Sequence, residues 1–155
     1  MSIDLFADRL QKDLLVFDGA MGTELYRKNF FINVSFENLV LTAPDTVQSI
    51  HQSYIDSGCD VLTTNTYSAN ANKLSRFGLA DKVEDICTAA VKLARKCAHG
   101  DTLVAGSIGP AGELTEAYKN CDRAELLSAP AKALAMAGAD LIIFESLSSS
   151  ADVAA

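Results

Sequence analysis

Four short apolar runs recur along the chain, and each closes on small or polar residues. Leu14 to Phe17 (LLVF) ends at Asp18-Gly19, and Asp60 to Thr64 (DVLTT) ends at Asn65. Thr102 to Ile108 (TLVAGSI) ends at Gly109-Pro110, and Asp140 to Phe144 (DLIIF) ends at Glu145. Short runs that are apolar on both faces predict parallel strands covered by helices.

Helical patterns fill the gaps. Pro44 to Ser57 carries Val47, Ile50, His51 and Tyr54 at three- and four-residue spacing, and Gly58 stops it. Asp81 to Ala98 opens with Asp81 and Glu84, an N-cap pairing, and places Val83, Ile86, Cys87, Ala90, Leu93, Ala94 and Cys97 on one apolar face. Asp122 with Glu125 repeats the device before a helix running to Ala137, where Gly138 supplies a left-handed cap. Pro130 inside that helix predicts a kink or restart, because a mid-helix proline costs about 3 kcal/mol. Ser148 to Ala155 reads as the opening turns of a further helix. The N-terminal stretch MSIDLFADRLQKDLL reads as a short amphipathic helix leading into the first strand.

The resulting order, β-α-β-α-β-α-β-α without a hairpin signal, means an α/β fold with a parallel sheet. Two architectures compete: an open doubly wound sheet and part of a (β/α)₈ barrel. A closed barrel usually takes about 250 residues. The chain has 155 residues, which fits one domain but supplies only four strand–helix units.

Composition narrows the class. Hydrophobic residues make up 49% and charged residues 21%, which excludes a disordered or collagen-like chain. The net charge of −7, without a basic cluster, argues against nucleic acid and anionic membrane as partners. No apolar run approaches the roughly 18 residues of a membrane span, and the N-terminus lacks the apolar core of a signal peptide. The expected location is cytoplasmic. The four cysteines, Cys59, Cys87, Cys97 and Cys121, include no C-x-x-C spacing. Cys87 and Cys97 read as small core hydrophobes, and His51 and His99 read as structural.

In either architecture, ligands bind at the C-terminal ends of the strands. Those ends carry Asp18 to Glu24, Thr63 to Tyr67, Gly106 to Gly112, and Glu145-Ser146. The third loop is not a dinucleotide fingerprint, since the residue two after Gly106 is Ile108 and Pro110 removes a backbone donor. Asp18 and Glu145 stand at one rim, where two carboxylates can grip an ammonium group or one can act as general base. Asp18 also reads as an Asp-Gly turn residue, and Glu145 as a solvated loop charge. Glu145 directly follows four apolar residues, which predicts partial burial and hence a need for a partner.

Taken in order, Asp18-Gly-Ala-Met-Gly-Thr-Glu-Leu25, Phe36-Glu-Asn-Leu39, Ile50-His51 with Tyr54, Thr63-Thr-Asn-Thr66, Gly106-Ser-Ile-Gly-Pro110 and Ile143-Phe-Glu145 resemble the homocysteine S-methyltransferase family. The resemblance implies the N-terminal four units of a TIM (β/α)₈ barrel, a half-barrel over residues 1–155, incomplete at the C-terminus. It implies methyl transfer to a homocysteine thiol to give methionine. In the family zinc binds that thiol, and a soft-ligated Zn²⁺ deprotonates a bound thiol and keeps it nucleophilic.

By the same resemblance, Asp18, Gly19, Ala20, Asn65, Ser107 and Glu145 are substrate-binding residues, with Glu145 on the amino acid's ammonium. No catalytic residue and no metal ligand is assigned. The family's zinc cysteines, one alone and then an adjacent pair, have no counterpart in this chain. Ala111 and Ser146 stand where the family more often has Thr. The methyl donor is open between methyltetrahydrofolate through cobalamin, betaine and S-methylmethionine. Three readings follow: the substrate-gripping part of a methyltransferase, inactive alone; a half-barrel that pairs with its own copy or a C-terminal half-barrel partner; and a non-catalytic amino-acid-binding module.

Overall fold

The computed structural model describes residues 2–147 and 149–154. In chain order the helices and strands are α1 (Ser2–Lys12), α2 (Met21–Arg27), α3 (Leu39–Thr42), α4 (Pro44–Asp56), β1 (Val61–Thr63), α5 (Ala71–Ser75), α6 (Val83–Cys97), β2 (Leu103–Ile108), α7 (Arg123–Met136), β3 (Leu141–Phe144) and α8 (Ser150–Val153). Two 3₁₀ turns, Ala80–Lys82 and Glu116–Tyr118, interrupt the connections.

The strands form a parallel sheet in the order β1-β2-β3, with Val61 opposite Leu103 and Ala105 opposite Leu141. Strand alternation then sorts the side chains. Leu62, Val104 and Ile108 face the helices and join the main core with Ile50, Ile86, Val91 and Leu134. Val61, Leu103 and Ala105 face the other way and form a second, smaller cluster with Phe6, Leu15, Leu141 and Ile143. Gly106 lies on the helix-facing side, where an added Cβ would sit 2.8 Å from Ile142 Cδ1 and 3.0 Å from Leu134 Cδ1. Its lack of a side chain lets α7 approach the sheet closely.

The first expected strand is corrected. Leu14 to Phe17 contributes a single bridge, Phe17 to Val61, rather than a full strand. Among the described residues this segment has a partner on one side only, and Leu14 and Val16 remain 87% and 56% exposed. The four-unit half-barrel is thus represented among the described residues by three strands and one bridge.

Two aspartates hold the strand starts. Asp60 Oδ2 accepts from the Val16 amide at 2.9 Å while Oδ1 binds Arg9 at 2.7 Å, which also fastens α1. Asp140 Oδ2 repeats this on the Val104 amide at 2.8 Å and on Arg95 at 2.7 Å. Each aspartate follows by two residues a glycine of positive φ, Gly58 at 88° and Gly138 at 93°. The left-handed turn that only glycine adopts without strain ends the helix and aims the aspartate at the neighbouring strand.

The helix expectations need two corrections. Asp81 does not cap: it lies in the 3₁₀ turn, Lys82 is the N-cap without a side-chain bond, and Lys82 instead pairs with Asp85 at 3.1 Å. Helix α7 runs through Pro130 as one helix, because Leu126, Leu127, Ala133 and Leu134 are buried on both sides of it and offset the lost hydrogen bond. Asp122 does cap α7, accepting from the Ala124 amide at 3.0 Å. Of the expected Ser148 to Ala155 helix, α8 is seen, while Ser148 and Ala155 lie outside the described residues. Among the described residues, no helix is long and apolar enough to cross a membrane.

Candidate functional site

The C-terminal ends of the strands carry two adjoining hollows of about 250 and 440 Å³ that share Gly19, Ala20, Thr63 and Glu145. Asp18 lines the larger one, and Asn65 and Ser107 line the smaller. All six residues singled out from the sequence therefore meet at one end of the sheet.

Strand register explains the meeting. Thr63, Ser107 and Glu145 share the face that carries Val61, Leu103 and Leu141, since successive side chains alternate. Glu145 extends the β3 ladder, its amide donating to the Ile108 carbonyl at 2.9 Å. The Ser107 hydroxyl donates to Glu145 Oε1 at 2.5 Å. Among the described residues, Glu145 Oε2 accepts no hydrogen bond, so half of the carboxylate remains free at the hollow. The next residue, Ser146, adopts a positive φ of 56°, a conformation that a β-branched threonine would occupy under greater strain.

Asp18 is held from β1. Its Oδ1 accepts from the Thr63 hydroxyl at 2.7 Å and its Oδ2 from the Thr63 amide at 2.9 Å. Burial pushes its carboxyl up to about 6; the Thr63 bonds counter this in part, and the nearby Glu145 charge adds to the rise. Gly19 packs against Tyr54: an added Cβ would stand 2.8 Å from the phenol oxygen, which itself donates to the Ala20 carbonyl at 3.1 Å.

Asn65 is buried and its Nδ2 donates to the Phe36 carbonyl at 2.7 Å. It ties the loop before α3 to the end of β1. Ser107 sits in a hydroxyl network: its amide donates to Thr64 Oγ1 at 3.1 Å, and its carbonyl accepts from Thr66 Oγ1 at 2.7 Å. Asn72 fixes the loop after β2, donating to the Ala111 and Glu113 carbonyls at 3.0 Å and accepting from Thr115.

Glu37 also lines the smaller hollow and was not among the residues expected. Both of its oxygens are engaged, one by the Ser68 amide at 3.1 Å and one by the Ser35 hydroxyl at 2.9 Å. Its place in the Phe36-Glu-Asn-Leu39 motif was the available signal.

The cysteines do not assemble a metal centre. Among the described residues, no group of three or more His, Cys, Asp and Glu side chains could hold a metal ion. Cys87 and Cys97 are buried on α6, and burial pushes the Cys87 thiol up to about 12. Cys59 rises to about 11 through burial and the charges of Asp18 and Asp60. The described residues do not fit the zinc that the resemblance implies.

The sequence profile of homocysteine S-methyltransferases matches residues 15–155. Methionine synthase of Mycobacterium tuberculosis is 32% identical over 119 residues, covering 69% of this chain and 10% of the synthase. The methionine synthase of Mycobacterium leprae is 33% identical over 119 residues, with the same coverage. The metallated form of the homocysteine methyltransferase MmuM from Escherichia coli superposes with a TM-score of 0.80 at 25% identity, covering 99% of this chain and 60% of that one. The oxidised form of MmuM gives 0.80 at 26% identity, covering 96% and 59%. The chain thus spans about a tenth of the length of the synthases it matches. With the profile matched from the first bridge to the last residue, the chain belongs to the homocysteine S-methyltransferase family.

Proposed function

We propose that this chain supplies the amino-acid grip for methyl transfer to the thiol of homocysteine. The half-free Glu145 carboxylate, fixed by Ser107, carries this reading. Glu145 accepts the substrate ammonium through Oε2, and Asp18 adds a second negative wall of the same hollow. The Gly19-Ala20 backbone closes over the ligand, and Asn65 keeps the Phe36 loop in place as its far wall. Charge-assisted bonds of this kind are about twice as strong as neutral ones. They fix the amino-acid end so that the sulfur can be aimed at a methyl donor.

Zinc activation of the thiol belongs to the rest of the reading. Its ligands are not found among the described residues, so the 155 residues bind homocysteine but do not methylate it on their own. The donor is left open between methyltetrahydrofolate through cobalamin, betaine and S-methylmethionine. We further propose that residues 1–155 form the first part of a (β/α)₈ barrel, closed by a C-terminal half-barrel or a second copy. Support comes from the one-sided Phe17 bridge and from Val16, Phe17 and Phe144, left 56%, 39% and 49% exposed along the outer positions of the sheet.

Calorimetric titration with L-homocysteine tests the grip. The native chain is expected to bind saturably, and Glu145→Gln to bind weakly or not at all. Native affinity retained in Glu145→Gln would refute it.

A further inference from the structure

Beside the amino-acid hollow lies a second one of about 310 Å³, between the loop preceding α3 and helix α5. It is near the lower size limit of small-molecule pockets. Its apolar lining comes from Ile32, Val34 and Phe36 on the loop and from Leu74 and Phe77 on the other side. Ile32 and Phe77 remain 76% and 43% exposed, an open apolar surface that folding alone does not require.

The polar groups are asymmetric. Glu37 is the acidic residue of the lining, and both of its oxygens are engaged by Ser68 and Ser35. The two cations outnumber it, and the Glu37 charge acts on Lys73 without a direct ion pair. Among the described residues, neither Lys73 nor Arg76 has a carboxylate within ion-pair distance. Arg76 Nη2 donates to the Glu113 carbonyl at 3.1 Å, and Lys73 Nζ makes a 3.3 Å bond to the Ser68 hydroxyl. The ammonium stands 4.8 Å from the centre of the Tyr67 ring. Gly112, at a φ of 81°, lies against the lysine stem, where an added Cβ would come within 3.0 Å of Lys73 Cε. The stem is thus confined between a ring and a bare backbone, and its charge is presented ready-placed. In a chain of net charge −7, two cations against one carboxylate leave this hollow with a positive excess over an apolar floor, which favours an anion with an apolar body.

We infer that this hollow binds a small amphiphilic carboxylate, its head on Lys73 and Arg76 and its apolar body on Phe36, Leu74 and Phe77. A small molecule fits better than a protein surface, because the hollow is concave and limited to about 310 Å³. The site is separate from the Glu145 hollow but shares the Phe36-Glu37 wall with it.

The test is amide chemical-shift titration of the ¹⁵N-labelled chain, with hexanoate and hexan-1-ol as probes. Hexanoate is expected to shift Val34, Lys73 and Phe77 saturably, and hexan-1-ol to bind roughly tenfold more weakly, the scale of one charge-assisted bond. Lys73→Met keeps the stem and is expected to weaken hexanoate by a similar factor with the remaining spectrum unchanged. Glu145→Gln is expected to bind hexanoate as the native chain does, which separates this site from homocysteine binding. Hexan-1-ol binding as tightly as hexanoate would mark an apolar docking surface and overturn the inference. So would unchanged binding in Lys73→Met, shifts confined to the Glu145 hollow, or no saturable shift.

Discussion

The Ser107 hydroxyl and Glu145 Oε1 lie 2.5 Å apart, joining the ends of two neighbouring strands through one hydrogen bond. That bond fixes one carboxylate oxygen and leaves the other for a ligand. Ser107→Ala frees the carboxylate to rotate and removes a bond to a charged group, an interaction of about 1.5–3 kcal/mol. Homocysteine affinity is expected to fall by roughly tenfold or more, and the melting temperature by several degrees. Titration calorimetry beside thermal unfolding checks both halves.

A half-buried carboxyl and a buried imidazole pull stability in opposite directions with pH. Burial raises the Asp18 carboxyl from 3.8 to about 6, so between these values the folded state binds more protons than the unfolded state. Its contribution is present at low pH and lost as pH rises through 6. Burial lowers His51 from 6.5 to about 4, and neither ring nitrogen has a hydrogen-bond partner. Its contribution is present above 6.5 and lost as pH falls toward 4. The two slopes largely cancel between pH 4 and 6 in the native chain. Asp18→Asn is expected to expose a stability that rises with pH across this window, and His51→Leu one that falls. Urea unfolding at several pH values reads each slope.

Two glycines separate packing from binding. Gly106→Ala drives a methyl group against Ile142 and Leu134 at the helix–sheet contact. Overpacking of this kind costs about 1–3 kcal/mol, which lowers the melting temperature by roughly 3–10 °C in a chain of this size. Gly19→Ala instead displaces the half-buried Tyr54 and loosens its bond to Ala20 at the mouth of the hollow. It is expected to lower homocysteine affinity more than stability. Thermal unfolding and calorimetry of both variants are expected to rank them in opposite orders.

Much of the fold was legible because burial on both faces leaves a signature. DVLTT, TLVAGSI and DLIIF each became a strand trimmed by one or two residues. LLVF carries the same signature yet forms one bridge, since pairing depends on a neighbour that a local pattern does not encode. Helices α2, α3 and α5 span four to seven residues, too short for an apolar period to emerge. The repeated Gly-x-Asp before β1 and β3 was present in the sequence, but its meaning lies in the bonds of Asp60 to the Val16 amide and of Asp140 to β2. At the site, the strand-end rule located the rim. It did not reveal that Asn65 spends its amide on Phe36, or that Glu37 is held by Ser35 and Ser68. Those are long-range pairings between loops.

The central claim is that Glu145 grips an amino-acid ammonium. The direct measurement compares L-homocysteine with 4-sulfanylbutanoate, which keeps the thiol and carboxylate but lacks the amino group, on the native chain and on Glu145→Gln. The native chain is expected to prefer homocysteine by at least about tenfold, the scale of a charge-assisted bond. That preference is expected to vanish in Glu145→Gln. Equal affinity of the native chain for the two ligands, or a preference that survives in Glu145→Gln, would contradict the account.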